Sequence, residues 1–198
     1  MIRFEPMVES IDLRGYEGLL FTSKQAVKSI DRIAPTWKEI PSFAIGPSTA
    51  KMIESLGGTV VYQAKLFYGA SVAKEISARC KNKKMLYLRP KEVAFDLKEA
   101  LSKQGVHLEE KVLYKTSCIP YETSDKPRKN AIIIFTSPST IACFLKQFFW
   151  DKSYIAVVIG QTTKKHLPKE AYYKVADEPT IESCIAKAKE ILLSSNPK

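Results

Sequence analysis

The sequence offers no grouping of residues that would hold a metal ion. Its four cysteines lie far apart and its two histidines stand alone, so neither a Cys-x-x-Cys pair nor a zinc pattern is present. We therefore expect no metal site and four reduced thiols, as is usual in intracellular proteins. The residues concerned are Cys80, Cys118, Cys143, Cys184, His107 and His166.

Motifs for nucleotides and for an activated serine are also absent. Neither Gly-x-Gly-x-x-Gly nor the Walker pattern Gly-x-x-x-x-Gly-Lys-[Ser/Thr] occurs, so the sequence predicts no nucleotide cofactor. The Gly-x-Ser-x-Gly elbow of many hydrolases is missing too. Any reaction must then depend on positioning, backbone dipoles and hydroxyl groups.

No apolar run approaches the roughly 18 residues that a membrane helix requires. The first ten residues, MIRFEPMVES, also lack the apolar core of a signal peptide. We therefore expect a cytoplasmic protein that has no membrane partner.

Positive charge is in excess, with 31 Lys and Arg against 21 Asp and Glu and a net charge of +10. Such a charge suits an anionic partner, namely nucleic acid, an anionic membrane surface or an acidic small molecule. The basic residues are spread out, with only short clusters at 81–84 and 126–129, and no nucleic-acid-binding motif is present. This distribution favours a small acidic molecule and argues against nucleic acid.

Short apolar runs alternate with amphipathic stretches along the chain, which predicts a parallel sheet with helices on both faces. A longer extended run at 112–119 and a polar, proline-bearing loop at 120–130 interrupt the alternation. The predicted strands are 18–21, 42–45, 59–62, 85–88, 131–135, 155–159 and 172–175. The predicted helices are 24–33, 47–56, 71–80, 92–104, 139–149, 162–167 and 180–193.

The two halves of the chain repeat the same strand-to-helix junctions. Leu-Phe-Thr-Ser at 20–23 matches Ile-Phe-Thr-Ser at 134–137, and Ala-Ile-Gly-Pro-Ser-Thr at 44–49 matches Val-Ile-Gly-Gln-Thr-Thr at 158–163. Both matches have the same offset of 114 positions. Two matches in one frame indicate an internal duplication, and two copies are too few for a solenoid.

The repeated junctions lie where ligands bind in open α/β sheets, at the carboxyl ends of the strands. Each places hydroxyl residues and free backbone N–H groups at a helix start, where the partial positive charge favours carboxylate or phosphate. The same residues are also ordinary helix caps, so a purely structural role stays open for each turn.

These motifs together resemble the uroporphyrinogen-III synthase family over nearly the whole chain. The resemblance depends on their order, spacing and duplication, since each motif is weak alone. The motifs are Phe-Thr-Ser at 21–23 followed by Ala-Val at 26–27, Ile-Gly-Pro-Ser-Thr-Ala at 45–50, Leu-Tyr-Leu-Arg at 86–89, Val-Leu-Tyr-Lys-Thr at 112–116, Phe-Thr-Ser-Pro-Ser at 135–139, Ile-Gly-Gln-Thr-Thr at 159–163 and Glu-Pro-Thr at 178–180.

The resemblance implies an α/β fold of two flavodoxin-like parallel-sheet domains joined by a two-stranded antiparallel linker, with a ligand cleft between the lobes. Residues 1–9 would form the outgoing linker strand and 112–122 the returning one. Residues 10–111 would form one α/β domain and 123–198 the second.

Two features depart from the family pattern. Members usually begin with a strand and helix that complete the second domain, and here that unit is lacking. Either the sequence is shortened at its start or this domain is smaller, with three strands from this chain. Related bacterial sequences often carry a further arginine after the one matching Arg89, and here the stretch 92–95 reads Glu-Val-Ala-Phe.

The activity that the resemblance implies is that of a lyase of haem biosynthesis. It would cyclise hydroxymethylbilane, losing water and inverting the last pyrrole ring, without a cofactor and as a monomer. Tyr114 would be the catalytic residue, and Arg89 would pair with a substrate carboxylate. The other implied binding residues are Thr22, Ser23, Gly46, Pro47, Ser48, Thr49, Ser137, Pro138, Ser139, Gly160, Thr162 and Thr163.

Simpler roles stay open at this point. Tyr114 would also suit packing between linker strands, and Arg89 would suit an exposed surface position. The alternative function is a non-enzymatic two-lobed α/β module that binds an acidic small molecule.

Overall fold

Two β-sheets with flanking helices, parallel except where β1 pairs with β6, make up the computed structural model, which describes residues 1–64, 69–93 and 95–194. Ala94 of the predicted helix 92–104 lies outside the described residues, as do residues 65–68 and 195–198 of the two expected domains. The strands are β1 (Ile2–Pro6), β2 (Gly18–Phe21), β3 (Ser42–Ile45), β4 (Val60–Ala64), β5 (Met85–Pro90), β6 (Leu108–Cys118), β7 (Ile132–Phe135), β8 (Ile155–Val158) and β9 (Tyr172–Val175). The α-helices are α1 (Lys24–Ile33), α2 (Pro47–Ser55), α3 (Gly69–Cys80), α4 (Leu97–Ser102), α5 (Pro138–Gln147), α6 (Gln161–Lys164) and α7 (Ile181–Ser194), and 3-10 helices lie at Pro35–Glu39 and Thr123–Asp125.

The larger sheet has the strand order β1-β6-β5-β2-β3-β4, and its strands from β2 to β6 pair in parallel. Successive residues of a strand point to opposite faces, so the apolar run of β2 supplies both. Leu19 and Phe21 pack with α1 and α2, whereas Leu20 packs with α3 and α4. Helices therefore cover both faces, which confirms the prediction from the alternating pattern.

The smaller sheet has the order β7-β8-β9, also in parallel. One face packs Phe135 against Ile141 and Phe144 of α5, and the other packs Val157 against Cys184 of α7. This sheet is again a layer between helices.

The chain divides into two compact units, one of residues Phe4–Thr116 and one of Met1–Arg3 together with Ser117–Lys198. Both divisions fall inside strands, namely β1 and β6, which are neighbours in the larger sheet.

Hydrogen bonds between β1 and β6 run in antiparallel order. The N–H of Met7 donates to the Leu113 carbonyl, and the N–H of Ile119 donates to the Met1 carbonyl, each at 2.9 Å. The ion pair between Lys115 Nζ and Glu5 Oε2, at 2.9 Å, adds to the same pairing.

Two helices are shorter than predicted by two residues or more. The helix predicted at 92–104 covers only Leu97–Ser102, because Asp96 caps it: its Oδ1 accepts a hydrogen bond from the Glu99 N–H at 2.8 Å. The helix predicted at 162–167 covers only Gln161–Lys164.

Strand β6 begins earlier than the extended run predicted at 112–119. The additional residues include charged side chains that local pattern assigns to a loop. These charges have partners in the fold: Glu109 accepts from the Tyr16 phenol, and Glu110 forms an ion pair with Arg89. Tertiary contacts therefore outweigh the local polarity.

The expectation of four reduced thiols is wrong for two of them, because Cys118 and Cys143 form a disulfide. It joins the end of β6 to α5, across 25 positions of sequence that no spacing motif marks. Cys80 and Cys184 are free and buried. Among the described helices, none combines the length and apolar character needed to cross a membrane.

Candidate functional site

The first of the predicted turns lies where β2 ends and α1 begins. Ser23 is the N-cap of α1, with extended backbone, and its Oγ accepts a hydrogen bond from the Ala26 N–H at 3.1 Å. This bond satisfies one of the N–H groups that every helix start leaves unpaired. The remaining donors and the helix dipole give the turn a partial positive charge suited to a carboxylate.

Tyr114 of β6 meets this cap, since its Oη lies 3.0 Å from Ser23 Oγ. The Tyr114 carbonyl accepts from the Lys91 N–H at 2.8 Å, and its ring packs edge-on against Phe4, with centroids 5.4 Å apart. The side chain is only 5% exposed. Burial raises the pKa of the phenol although the Ser23 hydrogen bond lowers it, so the phenol holds its proton at neutral pH and can donate it.

A second tyrosine meets the same turn and was missed by sequence reasoning. Tyr87 of β5 places its Oη 3.0 Å from Thr22 Oγ1. Burial raises the pKa of this phenol as well, while the Thr22 hydrogen bond lowers it. A tyrosine inside an apolar strand is usually a packing residue, so the sequence carried no signal that singles out Tyr87.

Arg89 is engaged inside the fold rather than free at the surface. Its Nη1 donates to the carbonyls of Pro90 and Lys91, each at 3.0 Å. Its Nε lies 3.1 Å from Glu110 Oε1, close enough for an ion pair, yet the approach lacks hydrogen-bond direction. A substrate carboxylate would therefore have to compete with Glu110 for this guanidinium.

The second turn of this unit lies between β3 and α2 and depends on glycine. Gly46 has φ 89° and ψ 145°, a conformation that side chains disfavour, and Pro47 follows at the first helical position. Ser48 is exposed, but Thr49 is only 3% exposed. Of the two hydroxyls, the structure therefore leaves Ser48 available to a ligand and places Thr49 in the core.

The matching first turn of the other unit repeats the cap. Ser137 is the N-cap of α5, and its Oγ accepts from the Thr140 N–H at 3.3 Å, while Thr140 Oγ1 accepts from the Ser137 N–H. Pro138 occupies the first helical position and Ser139 is exposed. This capping box leaves Ser139 and the turn backbone facing solvent.

The matching second turn is weaker than its copy. Gly160 has φ 179°, an extended backbone that any residue adopts, and the helix that follows is only Gln161–Lys164. Thr162 is exposed and Thr163 is 3% exposed. Because this helix is so short, its dipole adds little positive charge at the turn.

The two copies agree at the serine caps and at the buried threonines. Ser23 and Ser137 are both caps that accept from the N–H three positions on, and Thr49 and Thr163 are both buried. These pairs share the offset of 114 positions, which supports the duplication read from the sequence.

Residues 1–64, 69–93 and 95–194 contain no cluster of three or more His, Cys, Asp or Glu side chains that could hold a metal ion. His107 and His166 are both exposed, and they lie in different units.

Parallel strands that lead into helices, two of them capped by serine, define an α/β protein of layered sheets and helices. Residues 1–186 match the family described as Uroporphyrinogen-III synthase HemD, and the chain belongs to this family. The resemblance read from the sequence is thereby confirmed, and with it an enzyme family of tetrapyrrole synthesis.

Solved structures agree with this assignment. The crystal structure of uroporphyrinogen-III synthetase from Helicobacter pylori 26695 is 27% identical, with a TM-score of 0.77, over 96% of this chain and 90% of that one. A mutant uroporphyrinogen III synthase from the extremely thermophilic bacterium Thermus thermophilus is 12% identical, with a TM-score of 0.57 over 98% and 87%, and shows the shared fold. A search of curated protein sequences gave no match.

Proposed function

We propose that the chain is a hydro-lyase that closes the linear tetrapyrrole hydroxymethylbilane to uroporphyrinogen III. The observation that carries the proposal is the protonated, buried phenol of Tyr114, 3.0 Å from the hydroxyl that caps α1. It places a proton donor beside an anion-binding turn in a chain of this family.

Tyr114 donates its proton to the hydroxymethyl oxygen of the substrate, so that the C–O bond breaks and water leaves. The lone pair of the pyrrole nitrogen moves to form the azafulvenium cation, whose positive charge balances the Tyr114 phenolate. Ser23 Oγ already accepts from the Ala26 N–H, and its own hydrogen remains free to support the phenolate that Tyr114 becomes.

Ring closure then needs geometry rather than a further reagent. The far pyrrole attacks the azafulvenium carbon through its substituted position, and a spiro intermediate forms and fragments. Reclosure at the unsubstituted position leaves the last ring inverted, and the proton lost from that carbon returns to the Tyr114 phenolate. Unguided closure joins the unsubstituted position and gives the type I isomer. The contribution of the protein is to orient the substrate, and no cofactor takes part.

The acetate and propionate arms of the substrate are held by turn N–H groups and by exposed hydroxyls in each unit. The net charge of +10 attracts this acid. Thr49 and Thr163 are buried, so neither hydroxyl faces a ligand. Thr163 contributes through its backbone, and Thr49, whose N–H already donates to the Gly46 carbonyl at 3.2 Å, holds the turn in shape. The proposed binding residues are Thr22, Ser23, Gly46, Pro47, Ser48, Thr49, Arg89, Ser137, Pro138, Ser139, Gly160, Thr162 and Thr163.

The proposal includes the family architecture of two flavodoxin-like domains, 10–111 and 123–198, with antiparallel linker strands at 1–9 and 112–122. The antiparallel hydrogen bonds between β1 and β6 support the linker assignment. We further propose that the protein is cytoplasmic and monomeric. Light scattering of the purified protein would test the monomer through its mass.

The first experiment is incubation with freshly prepared hydroxymethylbilane, followed by oxidation and chromatographic separation of the isomers. We expect type III to exceed the type I that forms in a protein-free control. Type I alone would refute the proposed activity and favour a module that only binds an acidic molecule.

Tyr114→Phe tests the proton donor. We expect kcat to fall on the order of 100-fold, because general acid catalysis contributes at least this much. Tyr16→Phe is the matched control, since its phenol lies in the same unit but bonds Glu109. Equal activity of Tyr114→Phe and wild type would reduce Tyr114 to a packing residue.

A further inference from the structure

A cavity of about 280 Å³ lies beside Tyr114, within the unit Phe4–Thr116. One wall comes from β1 and the residues after it, a second from α1, and the third from β6. The lining residues are Phe4, Pro6, Val8, Glu9, Gln25, Ser29, Arg32, Ile33, Leu113 and Tyr114.

Apolar surface forms the walls of this cavity. Val8, Ile33 and Leu113 contribute aliphatic side chains, and the Phe4 ring is 45% exposed while packing edge-on against Tyr114. A large aromatic side chain left this exposed provides a flat contact surface for a planar ring.

One face of α1 supplies the polar rim. Gln25, Ser29 and Arg32 recur at helical spacing, so they lie along one stripe of the helix. Arg32 is exposed, and among the described residues it has no ion-pair partner. Glu9, the carboxylate of the lining, is likewise exposed and without an ion pair in the described part of the chain.

We propose that this cavity is the subsite for one pyrrole ring of the substrate, with Arg32 binding a carboxylate arm of that ring. The assignment rests on the proposed function. The Glu9 carboxylate accepts a hydrogen bond from the pyrrole N–H and repels a second acid arm. The positive charge of Arg32 and the negative charge of Glu9 therefore determine the orientation of the ring in the cavity. Arg32 is thus a specificity-determining residue on the helix that Ser23 caps.

The size of the cavity limits it to one ring. Sites for drug-sized ligands measure about 300–1,000 Å³, and a four-ring chain with all its acid arms would need more than this cavity provides. Tyr114 lines the same cavity, so we assign to it the ring that bears the hydroxymethyl group.

Arg32→Gln is expected to raise KM for hydroxymethylbilane about tenfold and to leave kcat within about twofold, since the lost contact is made equally before and during the reaction. Arg32→Lys retains the charge and should recover part of the loss. Lys28→Gln is the matched control, because Lys28 is exposed on the same helix but does not line the cavity. It should leave both constants unchanged.

A direct binding measurement separates this inference from the proposed function. The probe is a monopyrrole bearing one acetate and one propionate arm, titrated by NMR into wild type and variants. Wild type should bind it about tenfold more tightly than Arg32→Gln does. Resonances of Phe4 and Leu113 should shift, because both residues line the cavity.

If wild type forms the type III isomer while Arg32→Gln keeps its KM, the subsite is refuted and the proposed function stands. If wild type forms only type I, the proposed function fails and the titration alone decides the subsite. Binding that depends on Arg32 would then support an acidic-pyrrole site, and the absence of binding would overturn it.

Discussion

Loss of the Cys118–Cys143 disulfide is expected to lower the free energy of unfolding of its unit by about 3.5 kcal/mol. The bond spans 25 positions of sequence. Loop-closure entropy predicts about 3 kcal/mol for 15 residues and about 4.7 kcal/mol for 100, which brackets this loop. Such a loss is a large share of the roughly 5–15 kcal/mol that stabilises a domain.

The two tryptophans allow the units to be followed separately. Trp37 is fully buried in the unit Phe4–Thr116, and Trp150 packs with Phe135 and Phe144 in the other. Urea unfolding by fluorescence in a Trp37→Phe background then reports the unit with the disulfide, and Trp150→Phe reports its neighbour. With m near 1–1.5 kcal/mol/M, the midpoint reported by Trp150 should fall by about 2.3–3.5 M on reduction.

The double variant Cys118→Ala/Cys143→Ala is the control, because reductant should leave its midpoints unchanged. Equal shifts of both tryptophan signals on reduction of wild type would contradict the assignment of the bond to one unit. No shift in either would contradict the loop-closure argument.

Three further predictions concern stability and use the same urea assay. Gly46→Ala should lower the free energy of unfolding by about 1–3 kcal/mol, because the φ of Gly46 is 89° and a side chain strains that conformation. Gly160→Ala should leave it unchanged or raise it slightly, because the Gly160 backbone is extended and no atom lies within 4 Å of a new Cβ. Gly58→Ala should cost about 1–3 kcal/mol, since its Cβ would lie 2.4 Å from the Trp37 ring; an unchanged midpoint would show that the ring moves aside. Burial raises the pKa of the Cys80 thiol from 9.0 to about 11, so the thiol ionises at lower pH in the unfolded chain than in the folded one. The free energy of unfolding should therefore fall by about 3 kcal/mol as the pH rises between those values, and Cys80→Ala should not show this fall.

Several elements could be predicted from local pattern alone. The strands Gly18–Phe21, Ser42–Ile45 and Tyr172–Val175 and the helix Lys24–Ile33 match their predicted bounds. In each case an apolar run or an amphipathic face ends at a residue whose preference is local, such as the cap Ser23. Local chemistry decides these boundaries, so the sequence suffices.

Other features depend on contacts between distant residues. The start of β6 holds charges whose partners lie far along the chain, and the disulfide joins cysteines without a spacing signal. The contact between Tyr87 and Thr22 spans 65 positions. None of these can be read from neighbouring residues, because each depends on which strands become adjacent.

The duplication accounts for the capped turns of the proposed site, which both copies have, but not for the phenol of Tyr114, which contacts one copy. Ser23 and Ser137 cap their helices in the same way, so the capacity to hold an anion at the turn is common to both units. Only Ser23 also meets a phenol: its hydroxyl bonds Tyr114, whereas the hydrogen bonds of Ser137 stay within its own capping box. In the proposed function, the shared part of the turns would bind the acid arms of the substrate, and the unshared part would supply the proton. It follows that the proposed chemistry belongs to the unit Phe4–Thr116, which also contains the cavity beside Tyr114.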